Sequence, residues 1–193
     1  MIDVVDQGRG ISYGVVLTGC PNEEGVATLR AGNLQKFRVL TSNVKRVDPE
    51  IEAKYLRTRL RGNELLLRIR GGLGEVAVCP SEMIGGNVSR EIAVIPFTNH
   101  VDPKYGMYTL AAPCNQMRMI AHLRGTSYVG INLKDVRNLM IPVPKISEQR
   151  RVVEYLDSLI AVVERLRKLQ TESATELDAL LPSILDKAFK GEL

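Results

Sequence analysis

Carboxylates near a lysine are the first residues in this chain that could do chemistry. Asp48 precedes Glu52-Ala53-Lys54, and an acidic residue combined with a Glu-x-Lys set can hold Mg²⁺ for phosphodiester cleavage. Such a site needs its members on adjacent strands. Here they fall in one polar stretch, from Pro49 to Leu60, whose pattern is helical or loop-like. We therefore do not interpret these residues as a nuclease site.

A second group, Asp102-Pro103-Lys104-Tyr105, approaches the acidic-Pro-Pro-aromatic motif of adenine amino-methyltransferases, with lysine in place of the second proline. Such an enzyme also needs a glycine-rich loop after a strand to bind S-adenosylmethionine. Gly8-Arg9-Gly10 lies too close to the chain start for a strand to precede it. We therefore interpret Asp102-Pro103 as a turn.

The remaining glycine, cysteine and histidine residues give no catalytic set either. Gly71-Gly72-Leu73-Gly74 lacks the Lys-Ser/Thr of a P-loop and the GxGxxG spacing, so it predicts a tight turn with positive φ between strands. The 3 cysteines are far apart without a CxxC, and only 2 histidines occur, which argues against a disulfide framework or a zinc site. We expect no catalytic residue, no metal ion and no cofactor on this chain.

Charge is distributed unevenly along the sequence. Of 26 basic and 22 acidic residues, 7 and 9 lie from Ser147 onward, which leaves 19 basic and 13 acidic residues before it. The first 146 residues therefore carry a net charge of +6 and the rest −2. A basic domain favours a polyanion partner, because each Lys or Arg near a phosphate releases counterions. On charge alone, nucleic acid and ordinary solubilising charge are equally good interpretations.

The side chains that could contact DNA lie in predicted loops of the first 146 residues. Arg and Lys suit phosphates and guanine, and Asn suits the edge of adenine. The candidate DNA-binding residues are Ser12, Tyr13, Arg30, Asn33, Lys36, Arg70, Asn87, Arg90, Asn99, Lys104, Thr126 and Ser127. Each of them could instead be a solvated surface residue. Tyr13 could pack on a sugar or in the core, and we favour the core.

Short apolar runs bounded by Gly, Pro or Asn predict the elements that position these side chains. The predicted strands are Val15–Leu17, Val26–Leu29, Phe37–Leu40, Glu64–Ile69, Val76–Val78, Ile92–Ile95 and Val129–Leu133. Helices are predicted at Lys104–Leu110 and Asn115–Leu123. The fold class is therefore α+β, with a mixed α/β domain over residues 1–146 followed by a long coiled-coil helix over residues 147–193.

The last 47 residues have the pattern of an amphipathic helix with Ser147 as its N-cap. Apolar residues recur in steps of four and three, as in a coiled-coil seam. The seam residues, which we expect to mediate dimerisation, are Val152, Leu156, Leu159, Val163, Leu166, Leu177, Leu180 and Ile184. Polar residues between 170 and 175 interrupt the seam, and Pro182 should end or kink the helix near Leu181. A rod of about 50 Å with one apolar seam needs a partner.

The chain has no feature of a membrane or secreted protein. No run approaches about 18 apolar residues, so no membrane span is expected. The first ten residues contain no basic region followed by an apolar stretch, which argues against a signal peptide. With unpaired, widely spaced cysteines, the expected compartment is the cytoplasm.

Several segments resemble the specificity subunit of type I restriction–modification systems. The strongest match runs from Ile131-Asn132-Leu133-Lys134-Asp135 to Ile141-Pro142-Val143-Pro144-Lys145-Ile146-Ser147-Glu148-Gln149, where the family carries an IPxPxxxEQ signature that opens a long helix. The end, Ser183 to Leu193, is similar to the family's SIL-x-x-AF-x-G-x-L pattern. Weaker matches lie at Gly10–Gly14, Gly25–Leu34 and Gly62–Val78, so the resemblance covers nearly the whole chain.

The resemblance implies a target-recognition domain that reads half of a split DNA sequence, followed by a spacer helix. Full-size members carry two such domains and two helices packed antiparallel, whereas this chain has one of each and resembles a half-subunit. The implied partners are double-stranded DNA, a second copy in a homodimer, modification subunits and, through them, the restriction subunit. S-adenosylmethionine, ATP and Mg²⁺ are expected only on those partner subunits. The alternative interpretation is a coiled-coil scaffold with a basic, protein-binding head.

Overall fold

The computed structural model describes residues 1–17, 19, 22–72, 74–123 and 129–191. The chain divides into two compact units, Met1–Arg150 and Arg151–Leu193. The first unit combines short strands with short helices, and the second is helical. Because the first turn of the terminal helix belongs to the first unit, the division falls slightly later than the boundary predicted after residue 146. The predicted α+β class is confirmed.

The described residues form three small sheets. Their strands are β1 (Ser12–Tyr13), β2 (Val26–Leu29), β3 (Leu34–Gln35), β4 (Arg38–Val39), β5 (Lys45–Val47), β6 (Leu65–Arg68), β7 (Val76–Val78), β8 (Asn87–Val88) and β9 (Ile92–Ile95). The largest sheet is antiparallel with the order β1-β9-β6-β7, and Leu66 lies opposite Val94 on one side and Ala77 on the other. A mixed sheet has the order β5-β2-β8, and β3 pairs with β4 in a hairpin.

Several of the helices begin at a proline. The α-helices are α1 (Pro49–Glu52), α2 (Pro103–Ala111), α3 (Pro113–Ala121), α4 (Leu133–Arg137) and α5 (Ile146–Lys190), and 3-10 turns lie at Ile2–Val4, Ala31–Asn33, Ala53–Thr58 and Ser81–Met83. The first three α-helices begin with proline, whose missing N–H costs nothing there. Asp102 caps α2, because its Oδ1 accepts hydrogen bonds from the backbone N–H of Lys104 (2.9 Å) and Tyr105 (3.2 Å). Asp102-Pro103 therefore forms the start of a helix rather than the predicted turn, and its carboxylate has a structural role.

Both faces of the four-stranded sheet are buried. Leu65 and Leu67 of β6 lie in one apolar cluster with Met107 of α2. Leu66, which points to the opposite face, lies in a second cluster with Val88 of β8. Strands covered on both sides are apolar at consecutive positions rather than alternating. This explains why the runs Leu65–Arg68 and Ile92–Ile95 were correctly predicted as strands.

Three strand predictions differ from the structure. β1 lies at Ser12–Tyr13 rather than Val15–Leu17, and Val15 makes a single bridge to Ser89. The second difference concerns the predicted strand Phe37–Leu40. Phe37 has a φ of 65°, so only Arg38–Val39 pair as a strand after the hairpin turn. The predicted strand at Val129–Leu133 is limited to one bridge at Gly130, because α4 begins at Leu133.

The terminal helix α5 runs for 45 residues and continues through Pro182 to Lys190. The prediction that the helix ends near Leu181 is therefore wrong, and the kink at Pro182 stays a prediction. A proline removes one backbone donor, but the segment after it is also composed of helix-forming residues. Within the described residues, the hydropathy of each helix falls short of that required to span a bilayer.

Candidate nucleic-acid interface

Three strand connections meet at one end of the four-stranded sheet. They are the β2–β3 connection (30–33), the β6–β7 turn (69–72 and 74) and the β8–β9 turn (89–91). Backbone hydrogen bonds join them: the N–H of Ser89 donates to the carbonyl of Leu29 (2.7 Å), and the N–H of Ile69 donates to that of Glu91 (2.8 Å). Chain segments that are far apart in sequence therefore form one surface.

Four arginines belong to this surface, and we call them the arginine cluster. They are Arg30, Arg68, Arg70 and Arg90. Arg30 and Arg90 are exposed, whereas Arg68 and Arg70 are half-buried. A guanidinium carries five donors in a planar fork that matches a phosphate oxygen pair or the O6/N7 edge of guanine. The cluster can therefore bind a polyanion and read guanine.

Glu91 organises the backbone beneath the arginine cluster. Its Oε2 accepts a hydrogen bond from the N–H of Ala31 (3.2 Å) and another from the hydroxyl of Ser89 (3.4 Å). One carboxylate thus ties two of the three connections together. Glu91 was not predicted from the sequence, since a single acidic residue among basic ones gives no signal without the strand pairing.

The glycine turn between β6 and β7 fits the prediction. Gly71, Gly72 and Gly74 have φ values of 68°, 118° and 89°, which confirms the predicted positive φ. A Cβ atom on Gly72 would lie 2.6 Å from Nη2 of Arg68, so the absent side chain lets this guanidinium lie against the turn. Leu73 lies outside the described residues.

Ser12 and Tyr13 line a separate groove next to the sheet. The groove has a volume of about 420 Å³, and its wall includes Lys54, Tyr55 and Arg57 from the 3-10 turn. Tyr13 is exposed, so the favoured interpretation of it as a core residue is wrong. The strand leads toward the arginine cluster, because the N–H of Arg90 donates to the carbonyl of Val15 (2.9 Å). Aromatic and basic side chains in one groove suit a sugar or base.

Two predicted base-reading residues are buried and fully engaged, and for them the prediction is wrong. Asn33 accepts a hydrogen bond from the N–H of Arg30 (3.0 Å) and donates to the carbonyls of Leu40 and Ser42 (3.1 and 3.5 Å). Asn87 is fully buried and donates to Oε1 of Glu52 (2.8 Å) while accepting from a backbone N–H. These amides satisfy buried backbone and carboxylate groups and cannot reach a base edge.

The other predicted residues are spread over the first unit. Lys36 is exposed at the β3–β4 turn, with its Nζ 5.3 Å from the ring centroid of Phe37. Asn99 and Lys104 are exposed and follow the C-terminal end of β9. Glu91 and the arginine cluster lie at its N-terminal end, so these two residues do not join the cluster. Thr126 and Ser127 lie outside the described residues.

The carboxylates considered for catalysis have structural roles. Glu52 is buried and forms a bidentate ion pair with Arg59. The hydrogen bond from Arg59 lowers the pKa of Glu52, an effect that burial opposes and the Asn87 amide reinforces. Asp48 caps α1 through the N–H of Glu50 (2.8 Å). Within the described ranges, no three His, Cys, Asp or Glu side chains group as metal ligands.

The cysteine thiols give no nucleophile in the core. Burial, together with the nearby Glu64 carboxylate, raises the pKa of Cys79 to about 12. The thiol therefore stays protonated near neutral pH, and the thiolate is the reactive form. Cys114 is exposed, and Cys20 lies outside the described residues.

The start of α5 is fixed to the first unit by one buried side chain. Gln149 accepts a hydrogen bond from the N–H of Asp102 (2.9 Å). Its Nε2 donates to the carbonyls of His100 (2.9 Å) and Pro144 (2.8 Å). All three partners lie within Met1–Arg150, so this glutamine holds the β9–α2 connection against the first turn of α5.

The predicted seam of α5 is largely uncovered. Val152 and Leu156 are half-buried. From Leu159 onward every seam leucine, valine and isoleucine is exposed, with Leu177 at 68% of its full surface. A row of exposed large apolar side chains on one helix marks an interaction surface.

Comparison with known proteins gives a consistent result. The family model described as the type I restriction modification DNA specificity domain matches residues 28–173. The specificity subunit of the type I restriction enzyme EcoBI from Escherichia coli is 28% identical over 192 residues, covering 99% of this chain and 40% of that subunit. The EcoKI specificity subunit from Escherichia coli strain K12 is 25% identical, covering 92% of this chain and 40% of its own length.

Solved structures share the fold. A chain from a study of complex assembly and conformational transition of the type I R-M system matches with a TM-score of 0.70 at 23% identity, covering 99% of this chain and 45% of its own length. The HsdS subunit from Thermoanaerobacter tengcongensis matches with a TM-score of 0.66 at 23% identity, covering 99% and 44%. The chain spans about two fifths of the length of the curated relatives it matches. Since the family model covers most of the sequence, the chain belongs to the family of type I restriction modification DNA specificity domains.

Proposed function

We propose that this chain is a DNA-sequence-recognition subunit of a type I restriction–modification complex, without catalysis of its own. The observation that carries the proposal is the family match over residues 28–173, which includes both the strand-rich unit and much of α5. The basic first unit supports it, because neutralisation of phosphates supplies most of the affinity for DNA.

Within this proposal, the arginine cluster contacts the duplex. Arg30 and Arg90 are exposed on turns, and Arg70 begins the glycine turn between β6 and β7. Contacts to phosphates position the protein, and a guanidinium that reaches the major groove distinguishes guanine from the other bases. Ser12, Tyr13 and Lys36 extend the contact surface, which agrees with their exposed or half-exposed positions.

A second copy of the chain covers the seam of α5. Burial of about eight seam side chains contributes on the order of 10 kcal/mol, at about 1.5 kcal/mol each, before the cost of association. A symmetric dimer presents two recognition units, so its target is a bipartite inverted repeat whose spacing depends on helix length. Modification subunits bind along the helix and at its junction, and they bring S-adenosylmethionine, while a restriction subunit brings ATP and Mg²⁺.

Methylation in a reconstituted system tests this function. The purified chain, a methyl donor and DNA should give no methylated adenine until a modification subunit is added. Selection from a random duplex library with that subunit present should then enrich one split, inverted motif. Methylation by the chain without a partner would contradict the proposal. An unenriched library in the presence of the partner would instead favour a scaffold with a protein-binding head.

A further inference from the structure

We propose that Gln170 and Ser173 set the register of an antiparallel pair formed by two copies of α5. This inference rests on the proposed dimer and on the antiparallel packing that the family resemblance implies, and it adds the alignment of the two helices. In the sequence, these two polar residues look like an interruption of the apolar seam. Their spacing gives them a different role, because they occupy seam positions themselves.

The steps of four and three continue through the polar segment without a break. From Leu166 the next seam positions are 170 and 173, and the following one is Leu177. The exposed part of the seam therefore has eight members, which are Leu159, Val163, Leu166, Gln170, Ser173, Leu177, Leu180 and Ile184. α5 is continuously helical over this whole stretch, so all eight lie along one stripe.

This stripe is symmetric about the point between Thr171 and Glu172. In an antiparallel pair with its two-fold axis at that point, the facing residues are Leu159 with Ile184, Val163 with Leu180, Leu166 with Leu177, and Gln170 with Ser173. Every apolar side chain then meets an apolar one. The Gln170 amide and the Ser173 hydroxyl of the second copy can form hydrogen bonds with each other in two central layers.

Other antiparallel registers lose this match. A shift of one heptad in either direction places Gln170 against Leu166 or against Leu180 of the second copy, which leaves its amide without a partner. A single buried polar position fixes the register of other coiled coils for the same reason.

Charge selects the antiparallel direction over the parallel one. The seam does not decide this, since in a parallel pair each residue faces its own copy. A basic segment (Arg165, Arg167 and Lys168) precedes an acidic segment (Glu172, Glu176 and Asp178), and all six side chains are exposed. The antiparallel register brings Arg167 near Asp178 on one edge and Arg165 near Glu176 on the other. A parallel pair instead places like charges at the same level, which is unfavourable.

Disulfide trapping tests direction and register in the full chain. Cys20→Ser and Cys114→Ser provide the background, in which Cys79 remains buried. A mixture of the Leu166→Cys and Leu177→Cys variants in glutathione redox buffer should form a mixed disulfide dimer. The matched control mixes Leu159→Cys with Leu177→Cys, which face each other only in the register centred on Lys168. We expect at least about tenfold more cross-linked product from the first mixture. The free-energy cost of a misplaced polar layer exceeds the cost that corresponds to a tenfold change in an equilibrium constant.

Each outcome has a distinct meaning. Cross-linking of Leu166→Cys with itself would show a parallel pair, and efficient cross-linking of the control mixture would show the shifted register, so either overturns the inference. A monomeric mass in light scattering would instead contradict the proposed dimer. A different protein would then have to cover the stripe.

A further variant isolates the polar layer. Gln170→Leu should abolish the tenfold selectivity, because the stripe then becomes nearly uniform in apolar character. Thr175→Leu, on the outer face of α5, should retain it. If Gln170→Leu keeps full selectivity, the polar pair does not set the register.

Discussion

The two units of this chain differ in the burial of their apolar side chains. In Met1–Arg150 the leucines, isoleucines and valines of β6 and β9 are almost completely buried in two clusters. In Arg151–Leu193 the large apolar side chains from Leu159 onward are exposed. A unit that buries its own core is stabilised by its own contacts, whereas a row of exposed leucines depends on a second molecule. Mutations should therefore act on folding in one unit and on association in the other.

The largest effect is expected from a buried ion pair in the first unit. Nη1 of Arg9 lies 2.6 Å from Oε1 of Glu64, and both side chains are buried. Arg9→Ala leaves the Glu64 carboxylate uncompensated, which should lower the free energy of unfolding by about 3–5 kcal/mol. Urea denaturation measures the loss. The exposed Lys54→Ala variant should change stability by less than about 0.5 kcal/mol. Equal effects of the two variants would show that the pair does not stabilise the fold.

A somewhat smaller effect is expected on association through α5. Leu166→Ala removes one exposed seam side chain from each of two copies, and a loss of about 3 kcal/mol corresponds to a dissociation constant raised roughly 100-fold. Analytical ultracentrifugation measures the constant. The matched control is Leu185→Ala, which removes an equally exposed leucine outside the seam and should leave it unchanged. If Leu166→Ala alters urea unfolding of the first unit instead, the contrast between folding and association fails.

The same contrast explains how much the sequence could predict. Consecutive apolar residues identify β6 and β9, and glycines with positive φ mark the turn between β6 and β7, because these signals are local. The arginine cluster depends on the pairing of β6 with β9 and of β2 with β8, which brings distant turns together. No local pattern contains that information.

Single polar residues were the least predictable part of the candidate site. Asn33 and Asn87 have the amide chemistry that reads adenine, but the same chemistry satisfies buried carbonyls and carboxylates. In one sequence, these two uses of an asparagine look alike. Glu91 was missed for the complementary reason, since its importance lies in the backbone N–H groups it accepts from rather than in its neighbours along the chain.

A third prediction concerns the charge contrast between the units. Arg70→Ala should weaken DNA binding by about tenfold and reduce the slope of log affinity against log salt by about 1, as expected for one lost phosphate contact. Fluorescence anisotropy over a salt series measures both quantities. Lys168→Ala, on the exposed helix, should leave the slope unchanged. Equal slopes for the parent chain, Arg70→Ala and Lys168→Ala would show that Arg70 contacts no phosphate, which would contradict its proposed role in the arginine cluster.

The smallest expected effect is on acid stability and again belongs to the first unit. The hydrogen bond from Arg59 lowers the pKa of Glu52 from its usual value in the folded state. A carboxyl group with a lowered pKa stabilises the fold above its unfolded pKa, and this contribution is lost as the pH falls through the folded value. Urea midpoints measured from about pH 6 down to about pH 3 should therefore decrease less steeply for Glu52→Gln than for the parent chain. Because Glu52 also holds the buried Asn87 amide, the variant is less stable at every pH, and only the difference in slope reports the ion pair. Parallel curves would mean that Glu52 titrates alike in the folded and unfolded chains, so that Arg59 contributes no charge-dependent stability.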